Sequence, residues 1–236
     1  MAKSFRWVAK WILRNTVTTN QSLTPEIRLR LITEASPLWR CRPELCPFED
    51  PYWAFYWPGG QAVTRYILDN PSEFRDANVL DFGCGCGSAS IAATRAGASV
   101  IANDVDTNAL VSTAINYRNN NVSMSRTRFC SDNLLDRRQL PSIQNFLKAK
   151  MSFVILGDMF YDVDFTEALF SWLKRLGNST TTRILAGDPD RHPLADQQLS
   201  RYTSRIDKHL IAQYPLPECV TREHYGFESV KVFELR

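Results

Sequence analysis

Four apolar runs in this chain each end in polar residues of a kind that bind or position a ligand. Val79-Leu80 runs into Asp81, with glycines at 83, 85 and 87, and Val100-Ile101-Ala102 ends in Asn103-Asp104. Phe129-Cys130 precedes Asp132-Asn133, and Val154-Ile155-Leu156 ends in Gly157-Asp158-Met159-Phe160-Tyr161-Asp162. Glycine lacks a Cβ, so loop 83–87 can take positive φ and let a ligand lie against the start of the helix that opens at Ser88. A dinucleotide loop reads G-x-G-x-x-G, and position 88 is serine here, so the alternate glycines part company with that pattern. Asp104 stands 23 residues after Asp81, where an acid accepts hydrogen bonds from both hydroxyls of an adenosine ribose. Its other reading is a helix cap, which suits Asp106 better because that residue directly precedes a helix. Asn133 has the reach for an adenine edge, in competition with Asp132 and with a plain turn.

A second concentration of chemistry lies upstream, in Pro51-Tyr52-Trp53-Ala54-Phe55-Tyr56-Trp57-Pro58-Gly59-Gly60. Aromatics this dense can simply fill a core. A flat indole also stacks on a base or faces a sulfonium or ammonium cation, and this stretch comes just before the first sheet strand.

These residues need a scaffold that brings them to one edge. The pattern predicts helix at 61–70, strand at 78–82, helix at 88–96 closed by Gly97, strand at 99–102, helix at 107–119 and strand at 127–130. It continues with a helical piece near 140–148, strand at 151–156, helix at 164–176 ended by Gly177, strand at 183–187, helix at about 195–211 and a closing hairpin over 219–235. Residues 26–32 alternate as a strand, and 36–51 carry four prolines and read as irregular. Alternating strand and helix imply an α/β fold with a mainly parallel sheet covered on both faces, where ligands bind beyond the carboxyl ends of the strands.

Composition narrows the field. No apolar run in the 236 residues approaches the roughly 18 needed to span a membrane. The net charge of +3 owes everything to Lys3, Arg6, Lys10 and Arg14, since the remainder holds 24 basic and 25 acidic side chains. That balance excludes the bulk positive field of a nucleic-acid binder. Six scattered cysteines and three unpaired histidines give neither a zinc pattern nor a disulfide framework, so no metal is expected. Residues 1–21 are basic, acid-free and amphipathic, with Phe5, Val8 and Ile12 on one face. They match a mitochondrial transit peptide, the alternative being a surface helix of the mature domain.

The form D-x-G-x-G-x-G at 81–87 resembles the first motif of class I S-adenosylmethionine-dependent methyltransferases. Residues 50–61, 79–87, 102–104 and 156–162, with Ser22-Leu23-Thr24-Pro25-Glu26-Ile27 upstream, are similar over 22–190 to the mitochondrial lysine methyltransferases of the electron transfer flavoprotein β subunit. Where those enzymes read Leu-Gly-Ser this chain has Phe82-Gly83-Cys84, which keeps the glycine. The resemblance implies one domain over 22–236 with a Rossmann-like class I methyltransferase fold, a seven-stranded sheet and helices on both faces. It implies S-adenosylmethionine held by Trp57, Asp81, Gly83, Gly85, Gly87, Asp104, Asn133 and Gly157, with Asp81 near the methionine amine. Asp158 and Tyr161 match an acid-x-x-aromatic catalytic signature, and Trp53 and Phe160 are expected to shield the acceptor amine. The implied setting is the mitochondrial matrix, with the β subunit as protein substrate and no nucleic acid, membrane or metal partner. Methylation of another protein, such as a ribosomal one, or of a small molecule is the enzymatic alternative. A non-catalytic binding module of the same fold is the other.

Overall fold

Each apolar run found above is a strand of one seven-stranded sheet in the computed structural model, which describes residues 4–42, 44, 46–148, 150–176, 181–191, 194 and 206–236. The strands are β3 (Asn78–Phe82), β4 (Ser99–Asn103), β5 (Thr127–Cys130), β6 (Ser152–Gly157), β7 (Thr182–Asp188), β8 (Lys208–Pro215) and β9 (Ser229–Leu235), in the order β5-β4-β3-β6-β7-β9-β8. Five are parallel, and β9 runs antiparallel between β7 and β8. After β3 the chain first builds outward to β4 and β5, then returns to the other flank with β6. This reversal opens a crevice at the carboxyl end of β3.

Side chains alternate across the pleat. Val79, Val100, Phe153, Ile155, Leu185 and Val232 pack on the face covered by α2 (Pro58–Asp69) and α4 (Ser88–Arg95). Leu80, Ile101, Val154, Leu156, Ala186 and Phe233 pack under α6 (Leu140–Lys148) and α7 (Val163–Leu176). The helix α5 (Thr107–Asn119) is capped by Asp106, whose Oδ1 accepts the Asn108 N–H at 2.8 Å.

The carboxyl-terminal region differs from its sequence pattern. Residues 208–211, expected at the end of a helix, belong to β8, and the closing hairpin is β8 with β9 rather than 219–235 alone. Between them Glu218–Glu223 forms a short helix, α8. A register shift between Leu210 and Ala212 interrupts the two-residue alternation by which an edge strand is recognised. Residues 195–205 of the expected helix, and Gly177, lie outside the described residues.

The segment expected as a removable presequence is folded onto the domain. Phe5–Asn15 forms α1, with Val8 and Ile12 buried in a cluster with Phe48, Trp53, Ala109 and Val111. Strand β1 (Val17–Thr19) pairs with β2 (Leu29–Leu31), a shorter strand than the 26–32 expected. Arg30 Nη2 donates to the carbonyls of Leu13 at 2.7 Å and Thr16 at 2.6 Å, closing the end of α1. Between α1 and the sheet, Pro71–Phe74 forms α3, a single turn after α2.

Candidate active site

The glycine loop has the conformation its spacing implied. Gly83, Gly85 and Gly87 have φ of 68°, 51° and 82°. A Cβ at Gly87 would lie 2.8 Å from Thr113 Oγ1, and one at Gly83 would lie 2.7 Å from Met159 Sδ, so neither position admits a larger residue without movement. Asp104 ties this loop to β4: Oδ2 accepts the Gly85 N–H at 3.0 Å and Oδ1 accepts that of Asp106 at 3.0 Å. Burial pushes the Asp104 carboxyl up to about 6. Val105, two-thirds exposed, stands just beyond it.

Asp81 is turned towards α4 instead of the loop mouth. Its Oδ2 accepts the Ser90 N–H at 2.9 Å and the Ser90 hydroxyl at 2.6 Å, fixing the first turn of that helix, and burial raises its carboxyl to about 6. Asn133 is exposed, and its Oδ1 accepts the Leu135 N–H at 3.1 Å, the turn role.

The aromatic stretch divides into two environments. Trp53 is buried, with its ring edge-on to Phe48 at 5.2 Å and 85°. It therefore belongs to the α1 cluster and not to an acceptor pocket, although its Cα backs onto the glycine loop at Gly85. Trp57 stays half-exposed beside Tyr52, Phe55 and His224, and its Nε1 donates to the Tyr52 carbonyl at 2.9 Å. Phe160 is likewise a core residue: fully buried and stacked on Phe170 at 5.5 Å, it cannot shield an amine. Tyr161 faces outward, 61% exposed and stacked on Phe165. Partial burial and the nearby Asp162, Asp104 and Tyr52 hold its hydroxyl above the usual range.

Asp158 is the hinge of the site. Its φ is 55°, its N–H donates to the Gly187 carbonyl at 3.0 Å, and its Oδ2 accepts the N–H groups of Gly59 and, at 3.1 Å, Gly60. The carboxylate thus caps α2 from a strand end 99 residues away. Glycines make that approach possible. A Cβ on Gly59 would collide with the Gly187 carbonyl, and one on Gly157 would lie 2.8 Å from Gly60 Cα. Gly157, expected at the cofactor, is thus needed for helix docking. Asp158 Oδ1 pairs with Arg191, at 3.0 Å from Nε and 2.9 Å from Nη2. Burial raises the Asp158 carboxyl, while Arg191 and the two glycine N–H groups oppose that rise.

Arg191, Asp188, Gly187 and His224 did not emerge from sequence reasoning, and Gly59 entered only as part of the aromatic stretch. Gly187-Asp188, at the end of β7, repeats the strand-then-Gly-Asp pattern of Gly157-Asp158, and that signal was available. Asp188 is buried, its Oδ1 accepts the Arg191 N–H at 2.5 Å, and burial pushes it up to about 8. His224 is held down to about 4 by burial and by Arg191. Among the described residues no group of His, Cys, Asp or Glu is arranged to hold a metal ion, and no helix is long and apolar enough to cross a membrane.

The arrangement offers a backbone cradle with an acid beside it, an aromatic rim of Tyr52, Trp57 and Tyr161, and a buried carboxylate at the adjoining strand end. A model of the ribosomal protein L11 methyltransferase family matches residues 64–150. An electron transfer flavoprotein β subunit lysine methyltransferase homologue of Caenorhabditis elegans is 52% identical over 238 aligned positions, covering 99% of this chain and 98% of that one. The electron transfer flavoprotein β subunit lysine methyltransferase of Xenopus laevis is 43% identical over 224, covering 94% and 85%. The N-methyltransferase NodS of Bradyrhizobium japonicum, solved with S-adenosyl-L-homocysteine, superposes with a TM-score of 0.51 at 12% identity, covering 80% of this chain and 93% of that one.

Proposed function

The chain belongs to the family of electron transfer flavoprotein β subunit lysine methyltransferases, and on that premise we propose that it moves methyl groups from S-adenosylmethionine to lysines of that subunit. The observation that carries the reading is identity of 52% along 99% of the chain, well beyond the cofactor-binding half. The site fits the cofactor: three glycines in the left-handed region form a backbone cradle that adds no side chain of its own, and Asp104 stands beside it for a ribose.

When bound, S-adenosylmethionine supplies an electrophilic methyl on a sulfonium. The rest is positioning, because in-line displacement needs the acceptor nitrogen opposite the departing sulfur and water kept out. In our reading Gly83, Gly85 and Asp104 hold the adenosine side, and Trp57 lies against the cofactor from the α2 side. A free lysine, with a pKa of about 10.4, is under about 1% neutral at pH 8, a cost of roughly 3 kcal/mol. Tyr161 and Tyr52 desolvate the amine at the mouth. Asp158 orients the ammonium through Oδ1 while Oδ2 keeps α2 in place. A carboxylate raises an amine's pKa, so Asp158 serves to dock and orient, and the proton leaves through water.

We place the protein in the mitochondrial matrix, a reading supported by the basic, acid-free amphipathic segment at 1–21. Incubation of the protein and labelled S-adenosylmethionine with mitochondrial extract, and in parallel with purified β subunit, followed by peptide mass spectrometry, is the direct test. Methylated lysine is the expected result. Label on a ribosomal protein instead would favour the substrate class of the family matched at 64–150, and label on no acceptor would leave a binding module. If Asp158→Asn and Tyr161→Phe both kept single-turnover transfer and cofactor affinity intact, the roles assigned to those residues would be wrong.

A further inference from the structure

Two charged groups, Asp158 and Arg191, meet the protonated carboxyl of Asp188 beneath Trp57, and their bonding is lopsided. Arg191 lies between two buried acids, and among the described residues its guanidinium pairs with only one of them. Asp158 Oδ1 receives both Nε and Nη2, whereas Asp188 receives, among the described residues, the Arg191 backbone N–H alone. Among the described residues, Asp188 Oδ2 is buried without a hydrogen-bond partner. A buried polar oxygen left without a partner costs on the order of 1–3 kcal/mol, so its persistence calls for a reason.

The guanidinium also sits in a slot suited to an organic cation. Its carbon lies 5.8 Å from the Trp57 ring centre and 5.6 Å from that of Phe227, with the Asp158 carboxylate alongside. Aromatic faces and a carboxylate are what an alkylammonium seeks as well. Two cations cannot share one carboxylate in a buried site at low cost, yet among the described residues a carboxyl oxygen of Asp188 waits unpaired beside them.

We propose that Arg191 is a displaceable counterion: an acceptor ammonium takes Asp158 Oδ1, the guanidinium swings to Asp188 Oδ2, and the Asp188 proton leaves to water as the guanidinium arrives. This inference rests on the lysine-methylation reading of the same site. Arg191 and Asp188 are then positioning residues. The exchange gives each buried carboxylate its own cation, and it selects for a charged acceptor, since a neutral side chain has no means of displacing the guanidinium. It also accounts for the orphaned oxygen, which is the empty station in the free enzyme.

The test is a double-mutant cycle on acceptor kinetics with Asp188→Asn, Arg191→Gln and the double variant, reading KM, kcat and S-adenosylhomocysteine affinity. Asn is close in shape to a neutral carboxyl but offers an N–H₂ where the guanidinium must arrive. With Arg191 present, Asp188→Asn is expected to raise acceptor KM about tenfold, an effect of about 1.4 kcal/mol, with kcat and S-adenosylhomocysteine affinity little changed. In the Arg191→Gln background there is no guanidinium to relocate, so the same substitution changes KM less than about twofold. A merely structural Asp188 would raise KM equally in both backgrounds, and that result, or an unchanged KM with Arg191 present, overturns the proposal. Should Arg191→Gln fail to fold, the structure of the wild-type protein with S-adenosylhomocysteine and a lysine peptide decides: a guanidinium on Asp188 supports the exchange, and one still on Asp158 overturns it. A wild type that methylates no lysine defeats the functional reading and the exchange with it, whereas an active wild type without coupling defeats the exchange alone.

Discussion

Deleting residues 1–21 asks whether the amino-terminal segment is an address alone or part of the folded enzyme. Ile12 is fully buried and Val8 nearly so, and α1 sits against Phe48, Trp53, Ala109 and Val111. Two side chains buried to that degree are worth roughly 1.5–3 kcal/mol each. The deletion also removes β1 from β2 and strips Arg30 of its carbonyl partners at Leu13 and Thr16. Against a total stability of about 5–15 kcal/mol, the truncated chain loses a large share. The milder perturbation is Ile12→Ala, expected to cost about 2–5 kcal/mol through lost burial and a cavity. For a chain of this length that lowers Tm by roughly 2–4 °C per kcal/mol. Trp53 links this cluster to the cradle, because its backbone lies against Gly85. S-adenosylhomocysteine affinity should therefore fall with stability in the deletion. Thermal unfolding and a titration calorimeter measure both. A deletion variant with Tm within about 2 °C of the full chain and unaltered affinity would refute the packing argument. If the argument holds and the chain is imported as we propose, the segment survives import largely uncut, and amino-terminal sequencing of the protein purified from cells should still find Trp7 and Trp11.

Gly59→Ala should abolish cofactor binding or folding, because its Cβ meets the Gly187 carbonyl, whereas Gly60→Ala, whose Cβ comes no closer than 3.9 Å to Tyr56, should be tolerated; comparable affinity in the two variants would contradict the docked geometry. Asp188→Asn reports on pH. With its carboxyl raised from 3.8 to about 8, the folded protein keeps a proton that the unfolded chain releases, so this group's contribution declines as pH rises from about 4 to 8, by about 1.4 kcal/mol per unit. The variant has no such proton, so its Tm relative to wild type should climb across that range, and a flat difference between pH 5 and 8 contradicts the assignment. Phe160→Leu should lower stability by about 1 kcal/mol while leaving acceptor KM unchanged, in contrast to Tyr161→Phe, which should raise KM or lower kcat at unchanged Tm; steady-state kinetics and unfolding together separate the two.

What could be read from sequence was what neighbours in sequence settle. Asp81, Asp104 and Gly157-Asp158 each close an apolar run, so their place along one sheet edge followed from strand polarity alone. The glycine φ values followed from spacing. Roles that depend on which face a turn presents did not: the short helical turn Tyr52–Ala54 carries Trp53 inward and leaves Trp57 at the rim, four residues apart in a stretch of near-uniform aromatic character. Phe160 and Tyr161 divide in the same way after the left-handed residue Asp158, one fully buried and one exposed. The partners of Asp158 were out of reach for another reason. Gly59, Gly60 and Arg191 lie 99, 98 and 33 residues away from it, and no local periodicity encodes a contact of that span.

That long-range contact changes what the acidic residue after β6 means. A carboxylate that only met the acceptor could be replaced at the cost of turnover alone. Here the same carboxylate caps the helix that follows Trp57, and Trp57 stacks over the cation that balances it. In the roles we propose, cofactor side and acceptor side therefore share one charge. Anything that neutralises Asp158 loosens α2, and with α2 the aromatic stretch 52–57 that leads into it. Cofactor affinity and acceptor affinity should fall together in Asp158 variants and separately in Asp104 and Tyr161 variants, a pattern that two independent half-sites cannot produce.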